Sequence, residues 1–171
     1  RHETLALAAT GAVAGLCPIT ESSLGDGIFD GVAWSGAGGN WGIGSDSNIR
    51  ISLSEELRTL DYSQRLRDHS RAALATAEKS TGRILFEAAT QGGAQATARD
   101  AGAIAPGRLA DLMALDTTHI DLEGRDGDTL LDAFVFAADD RAISDVWAAG
   151  RHLVSGGKHV QHQAITEAYR R

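Results

Sequence analysis

Only one cysteine, Cys17, occurs among the 171 residues, so the chain can build neither an internal disulfide framework nor a thiolate zinc site. That usage fits a reducing cytoplasm, and secretion has no support. No apolar run is long enough to span a bilayer. A basic excess is also lacking: 16 Lys and Arg stand against 23 Asp and Glu, for a formal charge of -7. The basic residues are scattered among acids, which excludes the concentrated positive surface that phosphate backbones require. Gly25-Asp26-Gly27 and Gly42-Ile43-Gly44 lack the spacing of a Walker or dinucleotide loop and read as tight turns. Neither an initiator methionine nor a signal peptide opens the chain. Residues 1–11 instead read as a helix entered midway and stopped at Gly11, so further sequence is expected upstream of Arg1.

What is present suits one core or pieces of two small domains. Ala12-Val13-Ala14-Gly15-Leu16-Cys17-Pro18 is short, apolar and ended by proline, which predicts a parallel strand buried on both faces. Residues 19–29 read as a polar, glycine-punctuated loop, residues 30–39 as a short helix, and Trp41-Gly42-Ile43-Gly44-Ser45-Asp46 as a second buried strand. Ser54, Glu55 and Glu56 suit a helix N-terminus, with Leu57, Leu60 and Leu66 as its apolar stripe. A further helix is expected over 82–99, split by Gly92-Gly93. Composition changes at Gly102, where a turn leads to a short strand at Leu112-Met113-Ala114-Leu115. Ala133-Phe134-Val135-Phe136, residues 143–150 and residues 151–157 read as strands, with a hairpin turn at Ala149-Gly150-Arg151, and residues 163–171 as a closing helix.

An aspartate directly after an apolar strand, as Asp46 is, occupies the position where α/β barrels place reactive groups. Its carboxylate can bind a metal or take a proton from water that the metal has acidified. It can equally cap the following loop through backbone N–H groups. The local residues alone favour the cap.

Longer patterns shift that balance. The segment Cys17-Pro18-Ile19-Thr20-Glu21-Ser22-Ser23-Leu24-Gly25-Asp26-Gly27-Ile28-Phe29 is followed in order by Gly42-Ile43-Gly44-Ser45-Asp46-Ser47, Glu55-Glu56-Leu57-Arg58 and Tyr62-Ser63-Gln64-Arg65-Leu66-Arg67. At these spacings the set resembles the formimidoylglutamate deiminases of the amidohydrolase superfamily. Gly92-Gly93-Ala94-Gln95-Ala96 and residues 102–112 are similar to a less specific pattern of the wider superfamily, so the resemblance covers essentially the whole chain.

The resemblance implies an α/β fold: the C-terminal part of a (β/α)8 TIM barrel, about its last two strands, over 1–101, then the C-terminal strands of a small β-sandwich and a helix over 102–171. It makes Asp46 the aspartate after barrel strand eight, a metal ligand and catalytic proton acceptor, and it places the remaining metal ligands upstream of Arg1. Glu21, Leu24, Gly25 and Asp26 match the loop after strand seven and become candidates for the substrate pocket. The reaction implied is hydrolysis of N-formimidoyl-L-glutamate to N-formyl-L-glutamate and ammonia, a step of histidine degradation. The implied cofactor is a divalent metal, one zinc, in a cytoplasmic, homo-oligomeric full-length enzyme acting on a small molecule, with no nucleic-acid or membrane partner. Ser23 and Asn48 depart from the pattern, which has asparagine and histidine there. A single aspartate cannot hold zinc usefully, so this chain alone is expected to be inactive.

Two other readings stay open: a related deaminase acting on another amidine or a ring amine, and a non-catalytic barrel remnant serving as an interaction module. Of the histidines, none follows a recognisable barrel strand, and His159 and His162, if they share a helical face, read as a solvent-facing pair. Cys17 reads as core packing with no basic neighbour to activate it. The charged run over 65–71 reads most simply as a solvated helix face, with substrate-carboxylate binding as the lesser alternative.

Overall fold

The computed structural model describes residues 2–171; Arg1, the first residue of the expected incoming helix, lies outside them. That helix, α1 (His2–Ala8), leads to β1 (Val13–Leu16), α2 (Pro18–Leu24), α3 (Gly31–Gly36) and β2 (Asn40–Ile43). β1 and β2 pair in parallel, with Val13 opposite Asn40 and Leu16 opposite Ile43. Two long helices follow, α4 (Leu53–Asp68) and α5 (Thr81–Ala96), then β3 (Leu112–Leu115) and α6 (Gly127–Phe136). The chain ends with β4 (Ile143–Ala148), β5 (Arg151–Ser155), β6 (Lys158–His159) and α7 (His162–Tyr169). β3, β4, β5 and β6 form an antiparallel sheet in that order. The architecture is mixed α/β, a parallel pair with helices followed by an antiparallel sheet.

Several elements differ from the sequence reading, each for a local reason. Residues 19–29 are not all loop, because α2 occupies their first part. Pro18 stands in its first turn, the Glu21 carboxylate accepts the Cys17 N–H at 2.7 Å, and Gly25 closes the helix at φ 76°. Gly92-Gly93 does not split α5. A Cβ on Gly92 would sit 1.9 Å from the Trp41 carbonyl oxygen, and one on Gly42 would lie 3.1 Å from the Gly93 Cα. The glycines therefore let the helix backbone lie directly on β2.

Ala133–Phe136 is the last turn of α6 rather than a strand. The Thr129 hydroxyl accepts the Asp126 N–H at the start of this helix, and Leu130, Ala133 and Phe134 fall on one face, with Phe134 fully buried. In α4 the inward stripe is Leu57, Leu60 and Gln64, whereas Leu66 is 78% exposed. Gln64 earns its buried place by accepting the Gly31 N–H and donating to the Phe29 carbonyl, each at 2.9 Å. The cap of α4 is Ser52, two residues before Ser54. β1 is half-exposed along most of its length, since β2 is its one partner among the described residues. Ala149 and Gly150 both adopt positive φ, the geometry of a two-residue hairpin turn. His159 lies in β6 and His162 opens α7, so they do not share a helical face. Within the charged run, Arg65 pairs with Asp61 and lies over the Phe136 ring, and Arg67 pairs with Asp30. Those two arginines are therefore anchored, not merely solvated.

Polar side chains also tie the later elements to the earlier helices. Asp140 accepts the Leu53 and Ser54 N–H groups at the start of α4, and Asp128 and Asp132 accept those of Ser80 and Gly82 at the start of α5. In return Arg58 donates to the Val135 and Ala138 carbonyls at the end of α6. Each contact satisfies a group that helix geometry leaves without an internal partner.

Candidate active site

Parallel pairing brings the C-terminal ends of β1 and β2 side by side, and the Gly44 N–H extends the ladder to the Leu16 carbonyl at 2.9 Å. Beyond that edge the chain turns into α2 on one side and into Ser45, Asp46 and Ser47 on the other. Asp46 adopts φ 49°, a left-handed conformation that aspartate tolerates better than most residues. It is exposed, and among the described residues no hydrogen bond or ion pair engages its carboxylate. The loop-capping role favoured by the local residues is thus not what this side chain does. Capping of the turn falls to others: the Asn48 N–H and the Thr20 hydroxyl both donate to the Ser45 carbonyl, at 3.2 and 2.9 Å.

The four substrate-pocket candidates separate. Leu24 lines an open cavity of about 240 Å³ beside the Asp46 turn, together with Thr20, Ser23, Ser47, Asn48 and Ile49. Ser23 and Asn48, the two departures from the family pattern, therefore share one cavity wall. Glu21 instead lines a separate, smaller cleft with Pro18, Phe29 and Leu60, and one of its carboxylate oxygens is engaged by the Cys17 N–H. Gly25 and Asp26 form the exposed turn that ends α2, where the Asp26 N–H donates to the Glu21 carbonyl at 3.0 Å.

Cys17 is not inside the strand. It caps α2, half-buried. Burial pushes its thiol up, and the carboxylates of Asp46, Glu56 and Glu21 push the same way, which holds it in the unreactive thiol form.

Sequence reasoning missed Thr20 and Glu56. Thr20 is buried on α2, facing the turn. Glu56 reaches from α4 to accept the Ile19 N–H at 2.8 Å through Oε2, while its Oε1 is buried without a partner among the described residues. Burial pushes the Glu56 carboxyl above its ordinary range, opposed by the Ile19 N–H. The signal was present: Glu56, Leu60 and Gln64 recur every four residues on the inward face of α4.

As a metal donor Asp46 meets the requirement for one unengaged carboxylate. Among the described residues, however, no group of three or more His, Cys, Asp or Glu side chains is placed to hold a metal ion. His119 lies near Asp121, and His152 bonds Asp145 and stacks on Trp147, both in the antiparallel-sheet region.

The sequence model of the amidohydrolase family matches residues 3–153. The chain belongs to that family. It is 46% identical over 168 residues to formimidoylglutamate deiminase of Pseudomonas aeruginosa, covering 98% of this chain and 37% of that protein. The crystal structure of an amidohydrolase from Brucella melitensis superposes with a TM-score of 0.90 at 42% identity, over 99% of this chain and 37% of the other. A zinc-bound adenosine deaminase from Xanthomonas campestris shares the fold, with a TM-score of 0.84 at 23% identity, over 99% of this chain and 38% of that one. This amidohydrolase chain thus spans little more than a third of each relative's length.

Proposed function

We propose that this chain is part of a formimidoylglutamate deiminase, which hydrolyses the amidine C–N bond of N-formimidoyl-L-glutamate to give N-formyl-L-glutamate and ammonia in the cytoplasm, within histidine degradation. The observation that carries the reading is 46% identity sustained over 98% of the chain with a deiminase of that name. On this reading residues 1–101 supply the last two strands and helices of a (β/α)8 barrel, and residues 102–171 the C-terminal strands of a β-sandwich. The parallel pair followed by an antiparallel sheet supports that division. No helix is long and apolar enough to cross a membrane among the described residues.

Asp46 would be the one donor that this chain supplies to the metal, and its carboxylate would take up a proton released from water. Its position at the C-terminal edge of parallel strands and its unengaged carboxylate support both roles. When bound, a zinc ion would lower the pKa of water toward neutrality and polarise the amidine carbon's substituent. The other donors would come from the remainder of the enzyme, since three protein ligands are the usual minimum. Leu24, Ser23 and Asn48 would face substrate from the cavity beside the turn, and Glu21, Gly25 and Asp26 would hold α2 in shape at its rim.

The test is a substrate comparison with purified full-length protein carrying this sequence. Zinc-dependent ammonia release from N-formimidoyl-L-glutamate, far exceeding that from adenosine or guanine, is expected. Preference for a ring amine would replace the deiminase assignment with a related deaminase.

A further inference from the structure

We propose that Thr20 and Glu56 are positioning residues for Asp46, an inference that rests on Asp46 being a metal donor. The difficulty they resolve is local. Asp46 stands in an exposed turn at φ 49°, and nothing among the described residues grips its carboxylate, so its aim depends on how firmly the preceding peptide is held. That peptide's carbonyl, Ser45 O, receives the Thr20 hydroxyl at 2.9 Å. Thr20 is 5% exposed, and it sits on a helix of only seven residues, too short to hold its place by its own hydrogen bonds.

What anchors that helix is Glu56. Its Oε2 accepts the Ile19 N–H at 2.8 Å from 37 residues away, next to Thr20 in sequence. The carboxylate is 2% exposed and its second oxygen has no partner. A half-satisfied buried carboxylate is a costly way to fill space, and an apolar residue would serve packing alone better. The contacts instead form a series from the rigid helix α4 through Glu56, Ile19 and Thr20 to the peptide before Asp46.

The experiment compares T20V and E56A with T20S and E56Q in the zinc-loaded full-length protein. Valine keeps the threonine shape without the hydroxyl. Glutamine keeps the acceptor oxygen without the charge. T20V and E56A are expected to weaken zinc binding about 10- to 100-fold in a chelator competition and to lower kcat by a similar factor, with KM within about twofold. T20S and E56Q recover most of both. The double variant T20V/E56A should be little worse than the more severe single, because the two contacts act in series. In metal-free protein, amide exchange over residues 45–48 should accelerate in T20V. Wild-type zinc affinity and wild-type exchange in a folded T20V would overturn the proposal, whatever E56A does to folding. If the variants weaken zinc binding but wild-type protein releases no ammonia from N-formimidoyl-L-glutamate, the positioning role stands and the substrate assignment falls.

Discussion

At φ 49°, Asp46 holds a backbone conformation that costs a typical L-residue about 1–2 kcal/mol, and among the described residues its carboxylate gains no hydrogen bond in exchange. If Asp46 has the proposed roles, substituting Asp46→Asn in full-length protein should lower kcat on the order of 10³-fold, since a positioned proton acceptor contributes about 10² to 10⁴ and a metal contact would be weakened as well. The melting temperature of the metal-free protein should hardly move, because an exposed side chain without partners contributes within about 0.5 kcal/mol. Glu56 differs in being buried, so its charged form carries a pH-dependent cost. Its folded-state pKa is raised by burial, so its protonated form is the one the fold favours. The contribution is fully present below the ordinary carboxylate range and is lost as pH rises through the folded value. Glu56→Gln should therefore match wild type in melting temperature at low pH and exceed it once pH rises above the ordinary carboxylate range; a gap that is constant with pH from acid to neutral would contradict this. Asp46 was legible as a strand-end aspartate, but adjacent residues could not separate ligand from loop cap. Glu56 was hidden because an acidic residue in a helix's first turn already has a sufficient explanation in the helix dipole.

At the level of elements, periodicity and capping residues located α4, the antiparallel hairpin and both parallel strands, because those patterns are local. α2 escaped notice since one of its two N-terminal acceptors, Glu56, lies 37 residues away. Ala133-Phe134-Val135-Phe136 read as a strand because a short apolar run fits either period, and only Leu130 and the Thr129 contact upstream reveal the helix. Phe134→Ala should cost about 3–5 kcal/mol, as expected for truncating a fully buried aromatic residue. Gly92-Gly93 reads as a break in sequence because glycine usually is one, yet the pair brings α5 onto β2. Gly92→Ala forces a methyl group to within 1.9 Å of the Trp41 carbonyl oxygen. Even with the better helix propensity of alanine, a net loss of about 2 kcal/mol is expected in denaturant unfolding. A neutral or stabilising result would mean that the helix stands further from the strand.

At the scale of the molecule, β1 and β2 form a two-stranded parallel sheet whose outer edges are unpaired among the described residues, and Ile49 and Ile51 beyond it are exposed. An apolar groove of about 620 Å³, lined by Phe86, Ile104, Met113 and Trp147 among others, runs between α5 and the antiparallel sheet. Open edges and uncovered apolar surface promote self-association. The 171-residue chain expressed alone should elute from size-exclusion chromatography as dimers or larger species and bind zinc too weakly to survive dialysis. A monodisperse monomer with a cooperative melt would count against this reading.

The aspartates that residues 128–140 lend to the helix starts of α4 and α5 bear on how this sequence can evolve. Composition changes at Gly102, and by sequence alone a crossover between two diverged genes looks harmless there. Yet it would pair helices from one parent with caps from the other, and any mismatch would strand N–H groups at two helix starts. Recombinants that survive selection should therefore inherit residues 53–142 as a block, with their breakpoints clustered before Ser52 or after Ala142.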